Sequence, residues 1–188
     1  NSEKLLCAVV DELKEKESKN AIAPLIRLTK ECNCENILEC IEDALVTMKS
    51  QIDEETLIKL LDSKEKESVQ CIAYRLLGEK KSKGAAPHII VLLDEIVNNK
   101  DKDKKREKEM VVTSMVGALG NIQSNYAIEP LIKLLREVIN DNSMGYVVGN
   151  IAYALVKINP EKAIEPLIEA IENYEIHEDL YYEIANSY

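Results

Sequence analysis

A six-residue phrase recurs along this chain and limits what it can fold into. It reads Ala-Ile-Ala-Pro-Leu-Ile at residues 21–26 and Ala-Ile-Glu-Pro-Leu-Ile at residues 127–132 and 163–168. A degraded copy, Ala-Ala-Pro-His-Ile-Ile, occupies residues 85–90. Copies spaced by some tens of residues mark a solenoid, in which one supersecondary unit cannot bury its apolar face alone and stacks on the next.

Each phrase follows an apolar stretch that ends in a Leu, and these residues form a ladder: Leu13, Leu45, Leu77, Leu119 and Leu155. Four residues earlier stand Val9, Ile41, Ala73, Met115 and Ile151; eight earlier stand Leu5, Ile37, Val69, Val111 and Val147. Positions i, i+4 and i+8 share one helical face, so each stretch reads as an amphipathic helix with a narrow buried stripe. We call these the A helices. Eleven residues past each ladder Leu comes Pro24, Thr56, His88, Pro130 or Pro166, with Pro87 displaced by one. Proline suits the first turn of a helix, where its missing N–H would have had no partner. A second apolar set follows each, such as Leu57-Ile58 with Leu60-Leu61 and Leu131-Ile132 with Leu134-Leu135. These are the B helices, joined to the A helices by turn formers such as Ser18-Lys19-Asn20.

The expected architecture is all-α: an α/α superhelix of about five helical hairpins plus a partial sixth helix. The hairpins span roughly residues 2–33, 34–64, 66–99, 104–141 and 143–174, with a terminal helix at 176–188. The phrase Ala118-Leu119-Gly120-Asn121-Ile122, followed by residues 127–132, resembles HEAT-like repeats of the short type related to phycobilin-lyase repeats. The resemblance is strongest in the last two hairpins and weakest in the second, which lacks Pro. It implies one solenoid over residues 1–188, with A helices on the convex side and B helices lining the concave side. It carries architecture further than activity, since such repeats serve scaffolds, chaperone-like lyases and a few enzymes.

Ladder spacings of 32, 32, 42 and 36 residues place an insertion before the fourth repeat, at residues 100–109, where six basic residues alternate with four acids. We expect a solvated loop there. Near the end, Leu180, Ile184 and Tyr188 repeat the helical spacing, so the chain stops within a sixth A helix. That helix is either a cap or an open end through which the chain self-associates.

Composition narrows the functional classes. A net charge of −10 and the absence of Phe and Trp argue against a nucleic-acid groove or an anionic membrane surface. No apolar run approaches the roughly 18 residues that would cross a bilayer. Five Cys, an odd count in a chain long enough to build its own core, read as reduced thiols and give a cytoplasmic expectation.

Candidate chemistry is sparse. Cys32, Cys34 and Cys40 form the most metal-like cluster, with Cys7 on the preceding A helix as a further ligand. Their spacing departs from an ordinary zinc ribbon, and we expect core thiols with no bound metal and no cofactor. His177-Glu178 is similar to the His-Glu pairs of deoxyhypusine hydroxylase, an iron enzyme of HEAT-like repeats, but one pair is too few for a di-iron site. His88 sits at a Pro position and reads as a capping residue. No nucleophile–base–acid set can be assembled, so no catalytic residue is assigned.

What remains is surface. Three residues past the Pro position the B helices present Arg27, Lys59, Val91, Lys133 and Glu169; three further come Lys30, Asp62, Asp94, Arg136 and Glu172. With Glu165 added, the charged members form two rows that are mixed early and acidic at the end. Residues 161–188 hold eight acids against one Lys. The expected function is a non-catalytic scaffold that binds a protein partner, one with a basic segment, along the B helices. The alternative is a lyase-like or metal-dependent repeat enzyme, or an accessory protein handling a cofactor in the same groove.

Overall fold

The computed structural model describes residues 2–62, 64–99, 107–141 and 144–172. The expected terminal helix, with Leu180, Ile184, Tyr188 and the His177-Glu178 pair, lies outside the described residues, as does most of the 100–109 insertion. Among the described residues the regular structure is helical, with no strand. In chain order the α-helices are α1 (Ser2–Glu15), α2 (Ile22–Glu31), α3 (Glu35–Thr47), α4 (Glu54–Lys59) and α5 (Glu67–Glu79). They continue as α6 (Ala86–Val97), α7 (Glu109–Ile122), α8 (Ile128–Val138), α9 (Gly145–Ile158) and α10 (Pro160–Glu172).

Odd-numbered helices form one row, each packed on the next, and α6, α8 and α10 pack in sequence in the other. The ladder lies between them: Leu45, Leu77, Leu119 and Leu155 are buried, with Ile41, Ala73, Met115 and Ile151 one turn earlier. Burying a side chain of this size contributes roughly 1.5–3 kcal/mol, so a hairpin's stability resides in its neighbours. Helix α1 departs from the expected stripe. Leu5 and Val9 are 69% and 48% exposed, Leu13 is half-buried, and Val10 is the residue that goes inside. As the first helix of its row, α1 packs chiefly on α3, so its buried arc turns toward that one side.

The linkers follow from local capping. Glu17 and Lys81, each four residues past a ladder Leu, adopt the left-handed conformation at φ 44° and 53°. The next amide then bonds back to the ladder carbonyl: Ser18 N to Leu13 O at 3.3 Å, and Ser82 N to Leu77 O at 3.0 Å. This Schellman closure satisfies carbonyls that the helix end leaves open. A 3₁₀ turn follows (Lys19–Ala21, Lys83–Ala85, Asn125–Ala127), and the B helix begins, with Pro24 and Pro130 as third helical residues and Pro87 as second.

Two hairpins deviate from the expected entrance. In the second, Thr56 replaces Pro and Asp53 caps α4, its carboxylate accepting from Thr56 N at 2.7 Å and from the Thr56 hydroxyl at 2.6 Å. These bonds, the hydroxyl first, hold the Asp53 carboxyl below its usual pKa. In the fifth, α10 starts at Pro160, so Pro166 falls inside the helix. Asn159 is extended and its side chain accepts from Lys162 N at 3.0 Å, which starts the helix four residues earlier than in the first and fourth hairpins.

Helix spacing along the A row varies with two register positions. One residue past the ladder lie Val46, Gly78 and Gly120; one residue before it on the next helix lie Leu76, Ala118 and Ala154. A Cβ on Gly78 would sit 3.0 Å from Ala118 Cα, and one on Gly120 would sit 3.0 Å from Ala154 Cβ. The backbones of α5, α7 and α9 therefore approach closely, whereas α3 and α5, with Val46 and Leu76 at these positions, form the loosest junction of the row.

Candidate functional site

The charged rows of the B helices resolve into two groups. On the early repeats one cation reaches the next repeat and another pairs within its own helix. Lys30 Nζ pairs with Glu65 at 2.7 Å and Lys59 with Glu55 at 2.8 Å, while Arg27 is exposed on α2. Glu55 pushes the Lys59 pKa up. Asp62 does not stand on a B helix. Helix α4 ends at Lys59, and Asp62 lies beyond it, its carboxylate accepting from Lys64 N at 2.9 Å. An aspartate that bonds the backbone two residues on stabilises a turn, which competes with a further helical turn here.

On the later repeats the structure draws the rows together. Asp94 of α6 and Glu129, Pro130, Ile132, Lys133 and Arg136 of α8 line a cleft of about 320 Å³. Arg136 Nη2 reaches Glu169 of α10 at 2.7 Å, and Lys133 Nζ reaches Asn98 Oδ1 at the end of α6 at 2.6 Å. Hydrogen bonding to Glu169 raises the Arg136 pKa, so this group stays cationic. Two cations and two carboxylates thus share a cleft with an apolar floor element, Ile132, 7% exposed. Glu165 and Glu172 are exposed on α10, at spacings of four and three residues from Glu169. Val91 is also exposed, at 57%, one turn before the end of the α6 row.

Such an arrangement orients polar groups of both signs toward a ligand; it offers no nucleophile paired to a base. His88, exposed at the start of α6, has its Nδ1 3.3 Å from Gly84 O, a local bond of the first turn. Among the described residues no group of three or more His, Cys, Asp or Glu is arranged to hold a metal ion. Glu129 and Asn98 were missed by counting forward from the Pro positions. Glu129 stands one residue before Pro130 and four before Lys133, so counting backward by one would have found it. Asn98 carries no repeat signal, because it caps α6 where the insertion begins.

All five cysteines are half-buried free thiols. They fall into a close contact, Cys7 Sγ to Cys40 Sγ at 2.7 Å, and a local turn in which Cys32 Sγ accepts from Cys34 N at 3.3 Å. Cys71 lies apart on α5, where burial pushes its thiol pKa up. On the A row, Tyr146 and Tyr153 of α9 are 69% and 65% exposed, and Lys157 Nζ lies 5.3 Å from the Tyr153 ring centroid. Among the described residues no helix is long and apolar enough to cross a membrane.

No curated protein matches the chain. Two stretches match the family model described as PBS lyase HEAT-like repeat, residues 113–137 and 147–173. They coincide with most of α7 through α8 and of α9 through α10, the two hairpins that carry the Ala-Ile-Glu-Pro-Leu-Ile phrase. Over these two stretches the chain carries HEAT-like repeats, and the described residues around them share the all-α architecture.

Proposed function

We propose that this protein is a non-catalytic scaffold that binds a protein partner along its B helices, centred on the cleft between α6 and α8. The observation that carries the reading is the convergence of Asp94, Glu129, Lys133 and Arg136 on one cleft, with Glu169 continuing the surface onto α10. Glu165, Glu169 and Glu172 extend it as an acidic flank that suits a basic segment of the partner, while Lys133 and Arg136 pair with that segment's acids. In this reading Arg27, Lys30, Lys59 and Asp62 contribute less, since they lie outside the cleft on which the later charges converge. A solenoid supports such binding because stacked hairpins hold the side chains at fixed separations before the partner arrives. The word lyase in the repeat description belongs to the repeat type, and architecture alone assigns no reaction.

The test is crosslinking with mass spectrometry on the protein in extract of its own cells, followed by a charge-reversed variant. Lys133→Glu, Arg136→Glu, Glu169→Lys and Glu172→Lys together are expected to abolish the partner crosslinks that map to α6, α8 and α10. Retention of every partner by a folded variant would refute the B-helix reading.

A further inference from the structure

The closest approach of two reactive side chains in the described structure lies away from the cleft. Cys7 of α1 and Cys40 of α3 bring their sulfurs to 2.7 Å, closer than two non-bonded sulfurs rest and longer than the roughly 2.05 Å of a disulfide. Both cysteines are half-buried. Cys7 sits between the exposed Leu5 and Val9 on the least covered helix of the A row. A bond at this point would tie α1 to α3, its principal neighbour.

We propose that Cys7 and Cys40 form a redox-reversible disulfide site whose oxidant is a small disulfide of the glutathione class. One thiolate of the pair attacks the glutathione disulfide, forming a mixed disulfide and releasing one glutathione thiolate. The second protein thiol gives its proton to solvent and attacks the protein sulfur of that intermediate, releasing the second glutathione. Two protein thiols are oxidised and one glutathione disulfide becomes two glutathiones, so atoms and electrons balance. The Cys40 contact, with burial second, pushes the Cys7 thiol up to about 11. While one thiol of the pair is ionised the other holds its proton, so the two attacks occur in sequence. The other cysteines lack this arrangement: Cys32 is engaged by the Cys34 amide, and Cys71 lies on α5.

The experiment treats the full, reduced chain with glutathione disulfide, alkylates the remaining thiols and maps peptides without reduction. Three of the five thiols are expected to stay alkylatable, with one peptide pair linking Cys7 to Cys40. In Cys7→Ser and in Cys40→Ser alike, the remaining thiol of the pair should keep a stable glutathione adduct, because its resolving partner is gone. Circular dichroism checks that both variants fold, and if either does not, the peptide map of the unaltered chain decides. Five alkylatable thiols after oxidation, or a first bridge through Cys32, Cys34 or Cys71, would overturn the proposal.

Discussion

The two ends of the A row are joined by different means. Between α5, α7 and α9 the contact is backbone against backbone, because Gly78 and Gly120 remove the side chain that would hold the helices apart. Between α3 and α5, with Val46 and Leu76 at those positions, the junction is looser and polar side chains bridge it. Arg75 pairs with Glu42 at 3.1 Å, Lys66 Nζ donates to Asn33 Oδ1 at 2.7 Å and to the Cys32 carbonyl, and Lys80 Nζ donates to the carbonyls of Lys49 and Ile52 at 2.7 and 2.8 Å. Close packing is insensitive to salt and intolerant of added volume; bridges between partly exposed charges are the reverse. The proposed binding cleft lies behind the close-packed part, where the repeats match the family model.

The largest expected effect comes from filling a tight junction. Gly120→Val places a branched side chain where a Cβ is already 3.0 Å from Ala154, and overpacking of this kind should lower unfolding free energy by about 3 kcal/mol. Val46→Ile at the loose junction should cost well under half as much, and equal losses in urea titrations would erase the distinction. Next, Lys80→Ala strips the donor from two carbonyls at the loose junction and should cost about 2 kcal/mol. A gain is expected at Tyr74, which is fully buried in α5 with a hydroxyl that has no hydrogen-bond partner among the described residues. Tyr74→Phe should stabilise by about 1 kcal/mol, and a loss in thermal melts would mean that the hydroxyl has a partner.

Smaller still is Gly149→Ala. A Cβ there meets nothing within 4 Å among the described residues, unlike the junction glycines, so the helix propensity gain of roughly 0.5–1 kcal/mol should appear undiminished. The smallest effect is acid sensitivity at α4. The Asp53 carboxyl is held below its usual value by Thr56, so its contribution is present above the unfolded carboxylate pKa, near 3.9 in model peptides, and is lost as pH falls through the depressed folded value. Asp53→Asn should flatten that acid limb of the pH–stability curve, and an unchanged limb would assign the loss to other carboxylates.

Much of the architecture was legible because the repeat writes the same packing problem several times. The positions of Ile41, Leu77 and Leu119 in the core follow from period alone. In α1, which packs chiefly on α3 among the described residues, period misleads at Leu5 and Val9. The early start of α10 was hidden because Asn159 and Pro160 lie outside the repeated phrase. At the candidate site, Lys133, Arg136 and Asp94 were found by counting from Pro, but their convergence with Glu129 depends on how closely α6 and α8 pack. Asp62 was misplaced because a helix length of six residues reflects a turn that competes with the helix, and no spacing rule records that. The Cys7–Cys40 contact joins residues 33 apart in sequence through the α1–α3 packing, which only the fold supplies.

The central claim is that a close-packed stack of α5, α7 and α9 supports the binding face while the α3–α5 junction opens first. Native-state hydrogen exchange in low denaturant tests it directly. The account predicts that buried positions of α5, α7 and α9, such as Leu77, Val116 and Leu155, exchange only through the highest-energy opening, and that α1 to α4 exchange through a lower one. A single opening free energy shared by Ile41, Leu45, Leu119 and Leu155 would contradict it.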